Sequence, residues 1–521
     1  MKKALFFLLL LIIKVLQAQT TFQVTIDLGF NEYACDIKQT PDGGYIVSGL
    51  EFIASSNTLE IFLLKLYADG TVQWNRSYGG GVANGANYYQ NYRVMVTYEG
   101  DYVVVGATRL PGSSSTDILV MKCNPLGDTI WSRTYGGPAN DDGNSIYEDS
   151  NGDYIVGGSV LLNSQRRMAV LRIGTDGTLK RQSFLADGVA SPFFECAALG
   201  TNRIGLIRTY SNLLNVVDST GAYQWSWPLQ YPSAWSVDAV DEANGQFSVF
   251  SGVNGLIGGS YALTRADQSG VISLAKKYST SSDESPRDMI KASNGDYLIY
   301  GLSTATSGAS APLLARLDQN GAVLWAYNYR YAANAFHEAG KMIPTADGGY
   351  ALLGQHDRSG NFTDFDVYVI KTDSNGQSGC NQAAATLNVA SGTPVSTSPP
   401  TQFTGTFTNN GTLVSPPNGT LPVSNPNPPS ILCLTTDIQN PTSENSVAVF
   451  PIPFQGAFKV SAADQMQYRM KVCDMLGNII LDSPFKGESE IQSTSWSSGV
   501  YFLDLQGADG SVVRRRLLKT E

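Results

Sequence analysis

Hydrophobic and polar positions alternate over short stretches through most of this chain, with glycine-bearing turns between them. The pattern is clearest at Thr40-Pro-Asp-Gly-Gly-Tyr-Ile-Val-Ser-Gly49, followed by Ile61-Phe-Leu-Leu-Lys-Leu66, a turn at Asp69-Gly70, then Trp74 and Tyr78-Gly79-Gly80. Apolar runs of this length bounded by turn dipeptides predict β-strands joined by hairpins. The unit recurs. Aligned on the residue after the first turn, its copies fall at Tyr45, Tyr102, Tyr154, Ile204, Phe247, Tyr297 and Tyr350, about 50 residues apart. A second turn follows in each copy, at Asp69-Gly70, Leu126-Gly127, Asp176-Gly177, Thr220-Gly221, Ser269-Gly270, Asn320-Gly321 and Asn375-Gly376, and Trp74, Trp131, Trp225 and Trp325 come after four of these.

Each unit predicts four short strands. In the first copy they fall near Ala34–Thr40, Tyr45–Leu50, Ile61–Leu66 and Thr71–Tyr78. Four-stranded units of this length are propeller blades, and seven copies predict an all-β chain with a seven-bladed β-propeller over 21–380. A single blade cannot cover both of its faces, so its neighbours must. The seventh copy turns at Asn375-Gly376 and meets Gly379-Cys380 without a fourth strand, whereas Phe22-Gln-Val-Thr-Ile-Asp-Leu-Gly29 reads as a fourth strand lacking its first three. N-terminal strand closure is therefore expected, which also removes a free edge.

Outside the repeats the pattern changes. Residues 381–445 are rich in Thr, Ser, Pro, Asn and Gly and read as an extended linker with a short strand over Gln402–Thr408. Residues 446–521 recover strand character. At the other end, Lys2 and Lys3 precede the apolar run Ala4–Ile13, and Leu16-Gln17-Ala18 offers a small residue for cleavage. Residues 1–18 are thus expected to be a signal peptide, since the run is short of the roughly 20 residues that span a bilayer. No transmembrane segment is expected.

Two resemblances follow from these motifs. Residues 21–380 resemble the Asp-Gly-Gly-Tyr, Asp-Gly-x-x-x-Trp, Tyr-Gly-Gly repeats of secreted Bacteroidetes-type β-propeller proteins. Residues 446–521 resemble the C-terminal sorting domain of type IX secretion cargo: Phe450-Pro451-Ile452-Pro453 opens it, Asp474 and Gly477 form a turn, Gly499-Val500-Tyr501 a strand, and Lys519 closes a basic end. Ile452 stands where that family usually has Asn. The resemblance implies a small C-terminal β-sandwich, the type IX secretion translocon as partner, and a secreted or outer-cell-surface location, with the mature protein released or attached to surface lipopolysaccharide.

Composition narrows the function. The 521 residues carry a net charge of −10, which excludes a nucleic-acid partner because phosphate binding needs a basic face. Charged residues are 15%, against about 25% in an average protein. The six cysteines are far apart: Cys35, Cys123, Cys196 and Cys473 sit at strand positions and are expected as buried free thiols, whereas Cys380 and Cys433 flank the linker and are the disulfide candidates. No spacing suggests zinc.

Only His337 and His356 could serve a nucleophilic triad. The loops expected before each first strand carry Glu32, Asp141, Asp142, Trp235, Asp283, Glu284, His337 and Glu338, which form the candidate ligand-binding set. The plain alternative is that these groups cap local backbone. No cofactor is expected. Calcium is the one ion hinted at, by Asp364-Phe365-Asp366 and Asp141-Asp142, although no twelve-residue calcium loop is present. Two functions are compatible with this pattern. One is a non-catalytic propeller that binds a glycan or protein through the variable loops between second and third strands. The other is a polysaccharide hydrolase or lyase pairing Asp141 or Asp142 with Glu284 or Glu338.

Overall fold

In a computed structural model of the chain, residues 19–519 are described apart from 84–91, 186–193, 392–429, 437–446 and a number of shorter stretches. The expected signal peptide and the Gln402–Thr408 strand lie outside the described residues. The chain divides into two compact units, Met1–Asp437 and Ile438–Glu521.

The first unit is a succession of antiparallel sheets, each running from an inner to an outer strand, and all but the last in chain order. The inner strands of the seven sheets are Asn31–Gln39, Arg93–Val96, Asp142–Glu148, Phe194–Ala198, Trp235–Asp241, Asp283–Lys291 and Phe336–Pro344. The seventh sheet runs Phe336–Pro344, Tyr350–Asp357, Phe365–Thr372 and then Thr20–Ile26. Val24 lies opposite Val369 in that last pair. An apolar cluster joins every neighbouring pair of sheets. One more joins the first to the seventh through Val24, Tyr45, Val47, Leu353 and Val367. This is a β-propeller.

The repeated residues are explained by contacts between sheets rather than by a ligand. Tyr78, Tyr135, Tyr278 and Tyr329, on the outer strands, are fully buried. Each donates its hydroxyl to the carbonyl of the second-turn glycine in the next sheet: Gly127 (2.7 Å), Gly177 (2.5 Å), Gly321 (2.9 Å) and Gly376 (2.7 Å). On the closing strand Phe22 takes the same place, and a Cβ on Gly70 would meet its ring at 2.6 Å. Trp131 donates its indole N–H to Thr175 O of the next sheet at 3.0 Å. The first-turn acid serves its own sheet: Asp42, Asp101 and Asp347 pair with Lys65 (2.9 Å), Lys122 (3.0 Å) and Lys371 (2.9 Å) on the third strand. The second glycine of Asp42-Gly43-Gly44 makes room for this ammonium, because a Cβ on Gly44 would lie 2.6 Å from Lys65 Nζ and 2.2 Å from Leu66 O.

Three sequence expectations need correcting. The first sheet's strands run Asn31–Gln39, Tyr45–Ile53, Thr58–Leu66 and Val72–Ala83, so its inner strand begins earlier than Ala34 and takes in Glu32. The inner strand is bulged between Ala34 and Asp36, and a bulge breaks the alternation from which strand limits are read. Second, the segment after Cys380 is more than a linker. Gln382–Ala384 adds to the outer edge of the sixth sheet, Asn388–Ser391 to the fifth, and Ser430–Thr436 to the closing strand of the seventh. Such pairing covers edges with few apolar residues, here helped by Ala385 and Leu387, which pack on the core between the fifth and sixth sheets. Third, Cys35 and Cys473 are free but only half-buried, whereas Cys123 is free and buried as expected.

The second unit holds a three-stranded sheet (Val447–Phe450, Ala457–Ala462, Glu488–Gln492) and a four-stranded sheet (Gln467–Asp474, Ile479–Lys486, Gly499–Gly507, Val512–Lys519). Phe458 and Val460 of one share a core with Met470, Val472, Leu503, Leu505 and Leu517 of the other, which makes it a β-sandwich. Tyr501 is buried and donates to Ser497 O at 2.6 Å. Asp474 pairs with Tyr501 in the strand register, and Gly499 with Lys519. Pro451, Pro453 and Gly477 lie outside the described residues.

Candidate functional site

The candidate residues do not lie in the loops before the inner strands, where the sequence suggested them. Glu32, Asp142, Asp283, Glu284, His337 and Glu338 stand on inner strands, and Asp141 immediately precedes one. Trp235 opens the fifth inner strand opposite Gly252, and its side chain lies outside the described set. The displacement has a common cause. The inner strands of the first, third, fifth, sixth and seventh sheets each carry a bulge, which lets pairing continue past the point where the apolar pattern stops.

Most of the candidate acids are occupied. Asp141 accepts Gly137 N–H (2.7 Å) with one oxygen and Leu161 N–H (2.8 Å) with the other. Burial pushes its carboxyl up to about 6 against these two amides. Asp142 is paired with Arg166 at 2.8 Å, and burial still raises its pKa. Glu284 accepts Thr280 N–H at 3.1 Å and the Thr280 hydroxyl, while burial pushes it up to about 7. Glu338 is paired with Arg287 at 3.2 Å. Asp141 and Glu284 cap the loops that precede their strands, Asp142 pairs within its own sheet, and Glu338 reaches across to the sixth sheet's inner strand.

His337 is fully buried. Its ring stacks on Tyr368 (centroids 5.4 Å apart) and lies 5.0 Å from His356, its partner across the strand pair. Neither ring nitrogen of His337 has a hydrogen-bond partner among the described residues. Burial, with His356 and Arg330 adding to it, holds its pKa down at about 3. It is a neutral core side chain, with no acid oriented on it in the manner of a triad.

The seam between first and seventh sheets is different. Asp27 follows the closing strand, Glu32 stands on the first sheet's inner strand, and Asp366 on the seventh sheet's third strand. One carboxylate oxygen from each lies within 4.8 Å of the others. Glu32 is fully buried and Asp366 is 3% exposed, while Asp27 is half-buried. Glu32 Oε1 accepts Phe30 N–H at 2.9 Å, and Oε2 has no partner among the described residues. Burial pushes Glu32 up to about 9, with the nearby charges of Asp366, Asp27 and Glu51 adding to the shift. Glu51 faces Glu32 across the strand pair and is itself pushed up to about 7 by burial. Around them, Phe365 N–H donates to Asn31 Oδ1 at 2.8 Å and Gln355 to Ala34 O at 3.1 Å, so the seam is tied on both sides.

The sequence reading also missed a set on the inner strands. Asp36, Asp238 and Asp288 stand nine residues before Tyr45, Phe247 and Tyr297. Each accepts a backbone N–H from the next sheet's inner strand, from Val94 (3.2 Å), Met289 (3.3 Å) and Met342 (2.8 Å) respectively. Asp288 also pairs with Lys341 at 2.9 Å. Aligning the repeats on that position would have revealed them. Cys380 is disulfide-bonded, and Gln23, opposite Cys433 in the strand register, donates to Cys380 O at 2.6 Å.

Residues 448–519 match the family described as secretion system C-terminal sorting domain. The chain thus carries a type IX sorting domain that engages the secretion machinery and directs export to the cell surface or the extracellular space. No curated protein matches the sequence. Among solved structures, a protein of unknown function from Bacteroides caccae is 12% identical, covering 59% of this chain and 94% of its own, with a TM-score of 0.36. Polysaccharide lyase Uly1 is 7% identical, covering 68% and 100%, at 0.44. YCF48 bound to D1 peptide is 12% identical, covering 67% and 95%, at 0.40. At these TM-scores none of the three bears on what this chain binds. No helix among the described residues is long and apolar enough to cross a membrane.

Proposed function

We propose that the exported propeller is a non-catalytic binding module for an extracellular glycan or protein. One observation carries the reading: three of the four acids that an acid–base reaction on the loop face would use are engaged by their own scaffold. Asp141 spends both oxygens on backbone amides, and Asp142 and Glu338 are held by arginines. Glycoside cleavage needs two carboxyls that reach one bond from a shared cleft. Where acids do converge, at the first–seventh seam, Glu32 and Asp366 are buried and only Asp27 is within reach of a polymer. Recognition would then fall to the loops between second and third strands, which vary from sheet to sheet over a rigid frame.

The test is a glycan array together with capture from an extracellular extract, using the chain from residue 19 onward. Saturable binding with no release of reducing ends from any bound polysaccharide is expected. Release of reducing or unsaturated ends that is abolished by Glu284→Gln would overturn the reading in favour of the hydrolase or lyase.

A further inference from the structure

We infer that the seam between the first and seventh sheets binds one calcium ion through Asp27, Glu32 and Asp366. The three residues come from the end of the closing strand, the first inner strand and the seventh sheet's third strand. Folding the propeller brings one oxygen of each within 4.8 Å of the others. Three like charges at that spacing repel, and burying two of them removes the water that would screen the repulsion. A compensating cation turns the same arrangement into a favourable one.

A second observation points to the ion. Glu32 is fully buried, and its Oε2 has no hydrogen-bond partner among the described residues. A buried carboxylate oxygen without a donor is costly and rare. Its other oxygen is fixed by Phe30 N–H at 2.9 Å, so the carboxylate is held in place rather than free to turn away. Asp27, the least buried of the three, gives the ion a route from solvent.

The donor set selects the metal. All three donors are carboxylate oxygens, which suit a hard cation and disfavour zinc or copper. Calcium accepts several carboxylate oxygens at about 2.3–2.6 Å in a flexible shell, whereas magnesium demands a near-ideal octahedron at about 2.0–2.1 Å and keeps several of its waters, so a site of three protein carboxylates favours calcium. Three carboxylates against a doubly charged ion leave one negative charge, at a seam that opens to solvent beside the half-buried Asp27. The ion would join the chain's first strand to its first and last sheets, and so would stabilise the closed ring.

The experiment uses the chain from residue 19 onward, stripped with a chelator and then titrated with calcium chloride or magnesium chloride. Thermal unfolding and titration calorimetry are the readouts. Calcium should raise the melting temperature saturably and more than magnesium does. Glu32→Gln and Asp366→Asn should each weaken calcium binding by more than about tenfold and remove the thermal increment. Metal-free Glu32→Gln should melt no lower than the metal-free parent, since it exchanges a buried carboxyl, whose Oε2 has no partner among the described residues, for an uncharged amide of the same size; this separates a lost site from a lost fold. Asp128→Asn, at a surface turn, is the control and should leave the increment intact. An equal calcium increment in Glu32→Gln, or none in the parent protein, overturns the inference.

Discussion

Replacing His337 with Phe should make the propeller resist mild acid. His337 is fully buried, stacks on Tyr368, and has no hydrogen-bond partner for either ring nitrogen among the described residues. Burial holds its pKa at about 3, against an ordinary 6.5. A histidine whose folded pKa is depressed contributes stability above the unfolded value, and that contribution is lost as pH falls from 6.5 towards 3. At about pH 5 the unfolded histidine is almost wholly charged while the folded one is neutral. A gap of about 1.5 pH units at about 1.36 kcal/mol each gives a loss of about 2 kcal/mol. The carboxyls of Asp141 and Glu284 are raised by burial, to about 6 and about 7, and act with the opposite sign. Their effects cancel when parent and variant are compared. The assay is urea unfolding at about pH 7.5 and about pH 5, followed by tryptophan fluorescence, to which the sorting domain contributes only Trp496 of seven. Relative to the parent, His337→Phe should gain about 2 kcal/mol on acidification. A stability difference that stays constant between the two pH values would refute the reasoning.

Two further outcomes follow from the contacts between sheets and from the tail. Tyr135→Phe strands the Gly177 carbonyl that the buried hydroxyl reaches at 2.5 Å, and should cost about 1–2 kcal/mol in urea unfolding with the m-value unchanged; no measurable loss would mean that the hydroxyl has no part in joining the sheets. Removing residues 446–521 deletes the matched sorting domain, so the truncated chain should accumulate in the periplasm on fractionation, and its continued appearance at the surface would contradict the export route.

The propeller was legible in the sequence because its signals are local and repeated. Turn glycines such as Gly43 and Gly70 have positive φ, at 80° and 83°, which only glycine adopts without strain, and the same demand returns at Gly100, Gly127, Gly152, Gly177, Gly295, Gly321, Gly348 and Gly376. The closing strand was legible because the seventh copy visibly lacks a fourth strand. The seam was not. Asp27, Glu32, Glu51 and Asp366 are brought together by closure from opposite ends of the repeat array, and neither spacing nor pattern relates positions so far apart. The bulges hid the inner strands' true starts, so Glu32 and His337 were expected in loops when they stand on strands and are buried. The edge strands over Gln382–Ala384 and Asn388–Ser391 are too short and polar to show a strand pattern, and Ser430–Thr436, although it carries Ile431-Leu432-Cys433-Leu434, follows a long Pro/Ser/Asn-rich stretch that reads as linker.

The pairing of Gln23 with Ile370 constrains the order in which this molecule can be built. Drawing together two positions about 350 residues apart in a flexible chain costs about 5 kcal/mol in loop entropy before any contact compensates. That cost falls once the first six sheets have formed, because each is made of neighbouring hairpins and the stacked array delivers the two ends to one another. Contacts of low sequence separation therefore come first, and the longest-range pairing comes last. A chain emerging N-terminus first must keep Thr20–Ile26 unpaired until Phe365–Thr372 has followed it. Through that interval an apolar strand stands exposed with an open edge, and completion of the seventh sheet removes both at once.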